Sequence, residues 1–575
     1  MNIFSYIKNS FENDSRFQKI NKAYKSLSPE KALVIFSGIF LAILFFFGGI
    51  FVLNKRFVIT VPALGGTLTE GVIGTPRFIN PILATSDQDE DFVSLIYAGL
   101  TKKDKDGSVV LDMALSIDKS EDGLHYDVVL KPTARFHDGE KVTADDIVYT
   151  VGLIKDPTIK SPQAVKWEGV SVNKISDSEI TFSLKKQFPL FTEVLSVGIL
   201  PKHIWKSLIS EQFSLSNFNI NAIGSGPFMI DNIENKDGIP QKITLVSNKY
   251  YTLGRPYIDT LIISSYQNEK YLLQALNNGD INRIYGITSN KALTLSNVNE
   301  KEIHTMLLPR TFSIFFNPNK KEFLSDKKVR QALNMAINKK AIVENVYNNY
   351  GKVLETPFPF DADQGDSTYN VDQARATLLS SKYMKTSSTT LSITLSTANN
   401  EEMRKASDMI KSDWEKIGMS VNVVVYEVSD LNQSVIKDRD FEAMLFASFV
   451  EHPSDLYAFW HSSQRNYPGK NISGYASTKL DEALSTLKDN EDPSEILSAY
   501  DYIKKEFSDE YPEIPLYSPY LLYINKDEST TLLPNFGGGN SSRFLLVSSW
   551  YKNTELVWPK SYYKPFINYL EAIIH

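Results

Sequence analysis

Residues 126–151, reading YDVVLKPTARFHDGEKVTADDIVYTV, pass from strand to turn to helix within one short stretch. Tyr126 to Leu130 reads as a strand, and Pro132 breaks it because proline has no amide hydrogen to give a ladder. Asp138-Gly139 is a turn signal, since glycine tolerates the positive φ that tight turns require. Thr143 then stands as the N-cap of a helix running towards Val151. Asp145 and Asp146 fall in its first turn, where carboxylates meet the positive end of the helix dipole. A capped helix start accounts for these paired acids without acid–base chemistry.

Towards the C-terminus the same grammar recurs. Leu391, Ile393 and Leu395 alternate as a strand, and Met403, Ala406, Ile410, Trp414 and Ile417 follow at helical spacing. Gly418 stops that helix, and Val421, Val423 and Val425 alternate again, which makes a βαβ unit. Parallel crossovers are right-handed, and open α/β sheets bind ligands beyond the carboxyl ends of their strands, so the turn at Ser396 to Asn399 is expected to face a cleft. Asp492-Pro493-Ser494-Glu495 starts a later helix, with a cap, proline at its first position and glutamate at its third. Ile496, Tyr500, Ile503 and Phe507 form its buried stripe.

Towards the N-terminus, Phe92 to Leu100 suits a short helix, and Gly66 to Gly71, GTLTEG, suits a first strand. Ahead of a spacer at 54–64 lies Ala32 to Leu53, ALVIFSGIFLAILFFFGGIFVL, which carries no charge. At a rise of about 1.5 Å per residue such a run crosses a hydrocarbon core about 30 Å thick, so 32–53 reads as a transmembrane anchor. Lys8, Arg16, Lys19, Lys22, Lys25 and Lys31 precede it, against Lys55 and Arg56 behind it. The excess of basic residues keeps segment 1–31 in the cytoplasm and sends the remainder outside, as a single-pass protein of the cell membrane. The chain has no cysteine, hence no lipidated N-terminal cysteine and no disulfide.

A net charge of −7 argues against a nucleic-acid binder, which would show a basic face. With 42% hydrophobic and 22% charged residues the exported part can bury large cores in two or three lobes. Its 29 tyrosines and 33 phenylalanines belong mostly to core, with a minority for a binding cleft. The sequence carries no GxSxG elbow, no HExxH, no P-loop and no dinucleotide fingerprint, so no catalytic residue, metal ligand or cofactor is assigned and the chain reads as a non-enzyme. The seven histidines are scattered, with none paired at helical spacing.

The stretch 126–151 resembles the signature of the family 5 extracellular solute-binding proteins, the peptide- and nickel-binding subunits of ABC importers. In the same order come FINPILATSDQDEDFVSLIYAGL (78–100), GSGPFMI (224–230), VRQALNMAINKKAIVENVYNNYGKV (329–353), NISGY (471–475) and PEIPLY (512–517). The resemblance covers roughly Gly65 to Tyr551. It implies an α/β, two-lobed, periplasmic-binding-protein-like fold. Lobe I is expected from 65–85, 220–310 and 525–575, with an extra subdomain at 86–219, and lobe II from 311–524. Crossings between lobes are expected near Arg310 to Pro318 and near Tyr517 to Asn525.

The resemblance further implies an oligopeptide ligand, held in the interlobe cleft by lobe closure and passed to the permease subunits of an ABC importer. Thr85, Asp87, Phe446, Ala447, Ser448, Phe449, Tyr517 and Tyr520 are expected to border the cleft. Many peptide binders of this family carry an aspartate four residues before the proline matching Pro453, where it pairs with the ligand's α-amino group. This chain has Phe449 there. A desolvated ammonium without a partner is costly, so Glu451 or Asp87 substitutes, or the ligand has no free amine. The basic residue that some relatives use for a carboxylate is also missing, at Ala443. His452 and His461, in or beside the cleft stretch, keep a nickel chelate or haem as an alternative ligand, and a tethered sensor without transport is the alternative role.

Overall fold

The computed structural model describes residues 22, 28–295, 299–362, 364, 367–385, 390–527, 529–535 and 537–557. Lys8, Arg16, Lys19 and Lys25, on which the orientation of the anchor was read, lie outside the described residues, as does the end of the expected lobe I from residue 558. The chain divides into two units, residues 1–63 with 554–575, and residues 64–553.

In the first unit the helix Pro29–Phe57 contains a stretch, Pro29–Gly49, of mean hydropathy 2.5 with none of it buried. Length and composition suffice to cross a bilayer. Behind it, Ile59–Ala63 is a strand paired with Asn553–Val557, so part of the expected spacer is sheet.

In the second unit one sheet organises the rest. Its strands are β1 (Thr67–Ile73), β2 (Phe228–Lys236), β3 (Ile239–Ser247), β4 (Thr260–Tyr266), β5 (Arg283–Tyr285), β6 (Ile303–Leu307), β7 (Arg310–Phe316), β8 (Gly351–Val353), β9 (Ser392–Ala398), β10 (Ser420–Tyr426), β11 (Ala443–Phe449) and β12 (Glu513–Asn525). The order is β10-β9-β11-β7-β12-β5-β1-β4-β3-β2, with β6 and β8 also paired to β12. The fold is two-lobed because β12 serves two partner sets. Its first residues pair with β7, Ile514 opposite Ile314 and Tyr517 opposite Phe312, while its last pair with β5 and β6, Tyr520 opposite Leu307 and Tyr523 opposite Tyr285. The chain also steps directly from β6 to β7, and the Ser518 hydroxyl donates to the Leu308 carbonyl at 2.9 Å, joining the two crossings. Separate cores flank them, one around Trp167, Trp205 and Trp550, the other around Trp414 and Trp460.

The βαβ unit forms as its periodicity predicts. β9 and β10 are parallel, with Ile393 opposite Val421 and Leu395 opposite Val423, and helix Glu401–Lys416 connects them. Gly418 turns the chain at φ +97°, a region side chains rarely enter. Asp492 caps helix Pro493–Glu510, accepting from the amides of Ser494 at 2.8 Å and Glu495 at 3.3 Å.

The stretch that opened the sequence reading lies partly in a four-stranded antiparallel sheet, where His125–Leu130 is an inner strand. The Asp146 carboxylate accepts from the Thr143 amide at 2.9 Å and hydroxyl at 2.8 Å, and Asp145 pairs with Lys174 and Lys202. His137 Nδ1 accepts from the Gly224 amide at 3.2 Å, and its Nε2 is 3.3 Å from the Gly226 carbonyl, to which it donates in that tautomer. Burial pushes this imidazole down to about 4. Gly224 needs its missing side chain, since a Cβ there would stand 2.0 Å from the Ile96 carbonyl oxygen. Three of the family-like segments thus lock onto one another.

The helix expected at Phe92 to Leu100 instead spans Asp87–Ile96. Ser86 caps it, accepting from the Asp89 amide at 3.1 Å, and Tyr97 is already extended at φ −112° and ψ 151°. Asp91 of this helix and Glu70 of β1 both grip Arg543, which is fully buried and lies 3.5 Å over the Tyr285 ring.

Candidate functional site

At the carboxyl end of β9, where the topology of a parallel pair leaves an opening, lies a cavity of about 710 Å³. Both lobes contribute to its wall. Gly286 to Ser289 follow β5; Leu308, Arg310 and Phe312 come from the first crossing and β7; Pro519 to Leu522 come from β12. Ala398, Asn400, Glu402 and Met403 come from the β9 end and the helix after it, and Phe446 and Ala447 from β11. Tyr347, Tyr350, Phe312, Phe446 and Tyr520 make the wall strongly aromatic.

The local fold explains these placements. β7 and β11 are antiparallel with Phe312 opposite Ala447 and Arg310 opposite Phe449, so one face of this ribbon carries all four. Thr311, Ser313 and Ser448 point the other way and are buried. The Asn400 side chain accepts from the Met403 amide at 3.1 Å, which fixes the start of the helix and carries Glu402 to the wall. Arg310 and Glu402 are the charged residues of the lining, and neither has an ion-pair or hydrogen-bond partner for its side chain among the described residues. Burial holds the Tyr347 phenol well above its usual range, with the Glu402 charge adding to the effect.

Of the residues expected at the cleft, Phe446, Ala447 and Tyr520 line the cavity. Tyr517 is fully buried one layer behind, stacked on Phe312 at 5.1 Å between ring centres and tilted against Tyr347 at 4.9 Å. The Ser448 hydroxyl is buried 3.5 Å from the Thr311 carbonyl. Phe449 is 44% exposed, next to Val450 at the β11 terminus. Thr85 is exposed just ahead of helix Asp87–Ile96. Asp87 accepts from the Asn540 side chain at 2.6 Å, and Asn540 belongs to the cavity wall. Glu451 is engaged by Lys103 at 2.5 Å.

The two flagged histidines are turn caps outside the lining. His452 Nδ1 lies 2.8 Å from the Ser454 hydroxyl, and burial lowers its imidazole below the usual range. His461 Nδ1 lies 2.8 Å from the Ser463 hydroxyl, and its ring stacks on Tyr457. Among the described residues no group of three or more His, Cys, Asp or Glu is arranged to hold a metal ion. Sequence reading missed Arg310, Phe312, Tyr347, Tyr350 and Glu402 as lining residues. Position offered a signal for two of them: Arg310 opens the expected crossing, and Glu402 follows the turn expected to face a cleft.

Comparison with known proteins agrees with this geometry. Residues 108–468 match the family described as bacterial extracellular solute-binding proteins, family 5. The oligopeptide-binding protein AppA of Bacillus subtilis is 31% identical over 479 residues, covering 80% of this chain and 87% of its own. Its structure in complex with a nonapeptide superposes with a TM-score of 0.61 at 28% identity, covering 86% of this chain and all of that one. The substrate-binding protein CtaP of Listeria monocytogenes gives a TM-score of 0.72 at 25% identity, over 85% and 99% of the two chains. NikZ of Campylobacter jejuni in complex with Ni(L-His) gives 0.64 at 26% identity, over 84% and 99%.

Proposed function

The chain belongs to the family 5 bacterial extracellular solute-binding proteins, and from that premise we propose that it captures oligopeptides in the cavity between its lobes and delivers them to the permease of an ABC importer. The observation that carries this reading is the position of the cavity. It is walled from both lobes exactly where the chain crosses between them, so rotation of one lobe towards the other would enclose a ligand and exclude water. Strand edges and aromatic faces suit an extended peptide, whose main chain hydrogen-bonds whatever its side chains. The relative of known ligand with the highest identity quoted above was solved with a nonapeptide.

Lobe I in this reading comprises 65–85, 220–310 and 525–575 with the subdomain 86–219, and lobe II comprises 311–524. The Pro29–Phe57 helix anchors the protein in the cell membrane, its N-terminus cytoplasmic and its binding lobes outside. The chain works by binding, without chemistry on its ligand.

Native mass spectrometry of the full chain, released from detergent, tests the proposal by identifying what co-purifies. Bound peptides of a few to about ten residues support it. A nickel chelate or haem in their place would overturn it.

A further inference from the structure

Resting on the peptide reading, we propose that Glu402 receives the ligand's α-ammonium group and Arg310 its α-carboxylate, so that the cavity selects peptides with both termini free. The two side chains are the charged members of the wall, they are opposite in sign, and each lacks a side-chain partner among the described residues. Their neighbours are already matched. Glu401 binds Lys405 at 2.7 Å, the Arg404 guanidinium donates to Asn399 at 2.6 Å, and Lys291 is held by Glu269. The other carboxylates near the wall are engaged as well, Asp87 with Asn540 and Glu451 with Lys103.

A charge that stays unmatched in a closing, aromatic cavity loses hydration without return unless the ligand supplies its counterpart. An ammonium offers three donors to the Glu402 carboxylate, and a carboxylate accepts two parallel bonds from the Arg310 guanidinium. Tyr347 and Phe312 lie between these groups and the core, so ligand binding would dry the pair rather than leave it in solvent. The arrangement selects against peptides blocked at either end.

The test is competitive capture from a casein digest, supplied in equal parts as free peptides, N-acetylated peptides and C-terminal methyl esters, with the full chain in detergent. Wild type is expected to enrich the free form over each blocked form by roughly 30-fold or more, the loss expected when one charge of a desolvated pair stands alone. Glu402→Gln should lose the discrimination against acetylated peptides and keep that against esters; Arg310→Gln should do the converse; Glu402→Asp should retain part of the first. Equal thermal melting of all variants excludes misfolding, and neither substitution removes a native partner. Peptides captured with no discrimination, or discrimination that survives both substitutions, would overturn this inference and leave the peptide reading standing. Capture of no peptide by wild type would overturn both.

Discussion

Lys103 and Glu451, 348 positions apart, meet at 2.5 Å, and the same ammonium lies 2.9 Å from Glu193. The strand Thr101–Lys103 thereby reaches the segment that follows β11, and Gly538 packs so closely that a Cβ there would stand 2.6 Å from Glu451 Oε1. All three charged side chains are partly solvated, so the pairs together add about 1 kcal/mol or less to stability. Their effect is expected on motion. Lys103→Met should leave the melting temperature nearly unchanged while speeding release of a bound peptide, measured by stopped-flow fluorescence. An unchanged release rate would sink the idea.

Phe449 and Tyr517 were expected to share one role, and their surroundings now separate them. Phe449→Ala should cost under about 1 kcal/mol, since its ring is 44% exposed. Tyr517→Ala removes a fully buried ring stacked on Phe312 and should cost about 3–5 kcal/mol. Urea titration of the two variants distinguishes the cases.

Glu513, at the start of β12, is buried, and burial pushes its carboxyl up to about 8, against the opposing effects of the Ser313 hydroxyl and the Lys339 charge. Folded protein therefore holds a proton that the unfolded chain has released. That contribution to stability is fully present below the ordinary glutamate range and is lost as pH rises through about 8. Between these limits the slope approaches about 1.4 kcal/mol per pH unit for this one group. Glu513→Gln should flatten the pH dependence over that window and raise stability most at its alkaline end. A wild-type stability that does not fall there would refute the assignment.

Arg543 is fully buried between Glu70 and Asp91, with Tyr523 donating to Glu70 at 2.6 Å and Tyr285 to Asp91 at 3.0 Å. Arg543→Met leaves two carboxylates without their cation and should cost about 3–5 kcal/mol. Adding Glu70→Gln and Asp91→Asn should recover part of that loss. Thermal melts of the single and triple variants read it directly.

Local patterns carried the elements well. Thr143, Gly418 and Asp492 act through neighbours within a few residues, and each does in space what its spacing announces. The two-lobed architecture was legible through the ordered family-like segments. What escaped depends on partners remote in the chain. Glu451 looked like a free carboxylate because Lys103 lies hundreds of positions away, and Tyr517 looked like a cleft aromatic although Phe312 and Tyr347 stand in front of it. Glu402 was passed over because Glu401 beside it has the same chemistry, and only the helix register decides which of the two Lys405 takes. The end of the helix at Ile96 was missed for a similar reason, since its stop depends on how Gly224 and Gly226 pack against it.

The shared strand β12 restricts how the molecule can move. Its crossing runs beside the step from β6 to β7, with Tyr520 opposite Leu307 on one side and Tyr517 opposite Phe312 on the other. Two adjacent antiparallel tethers, stitched by Ser518 and Leu308, form a ribbon. A ribbon flexes easily out of its plane and resists shear within it. The lobes therefore share one soft rotation about a line drawn across the two tethers, and Pro519, with no amide to donate, sits where that flexing costs fewest ladder bonds.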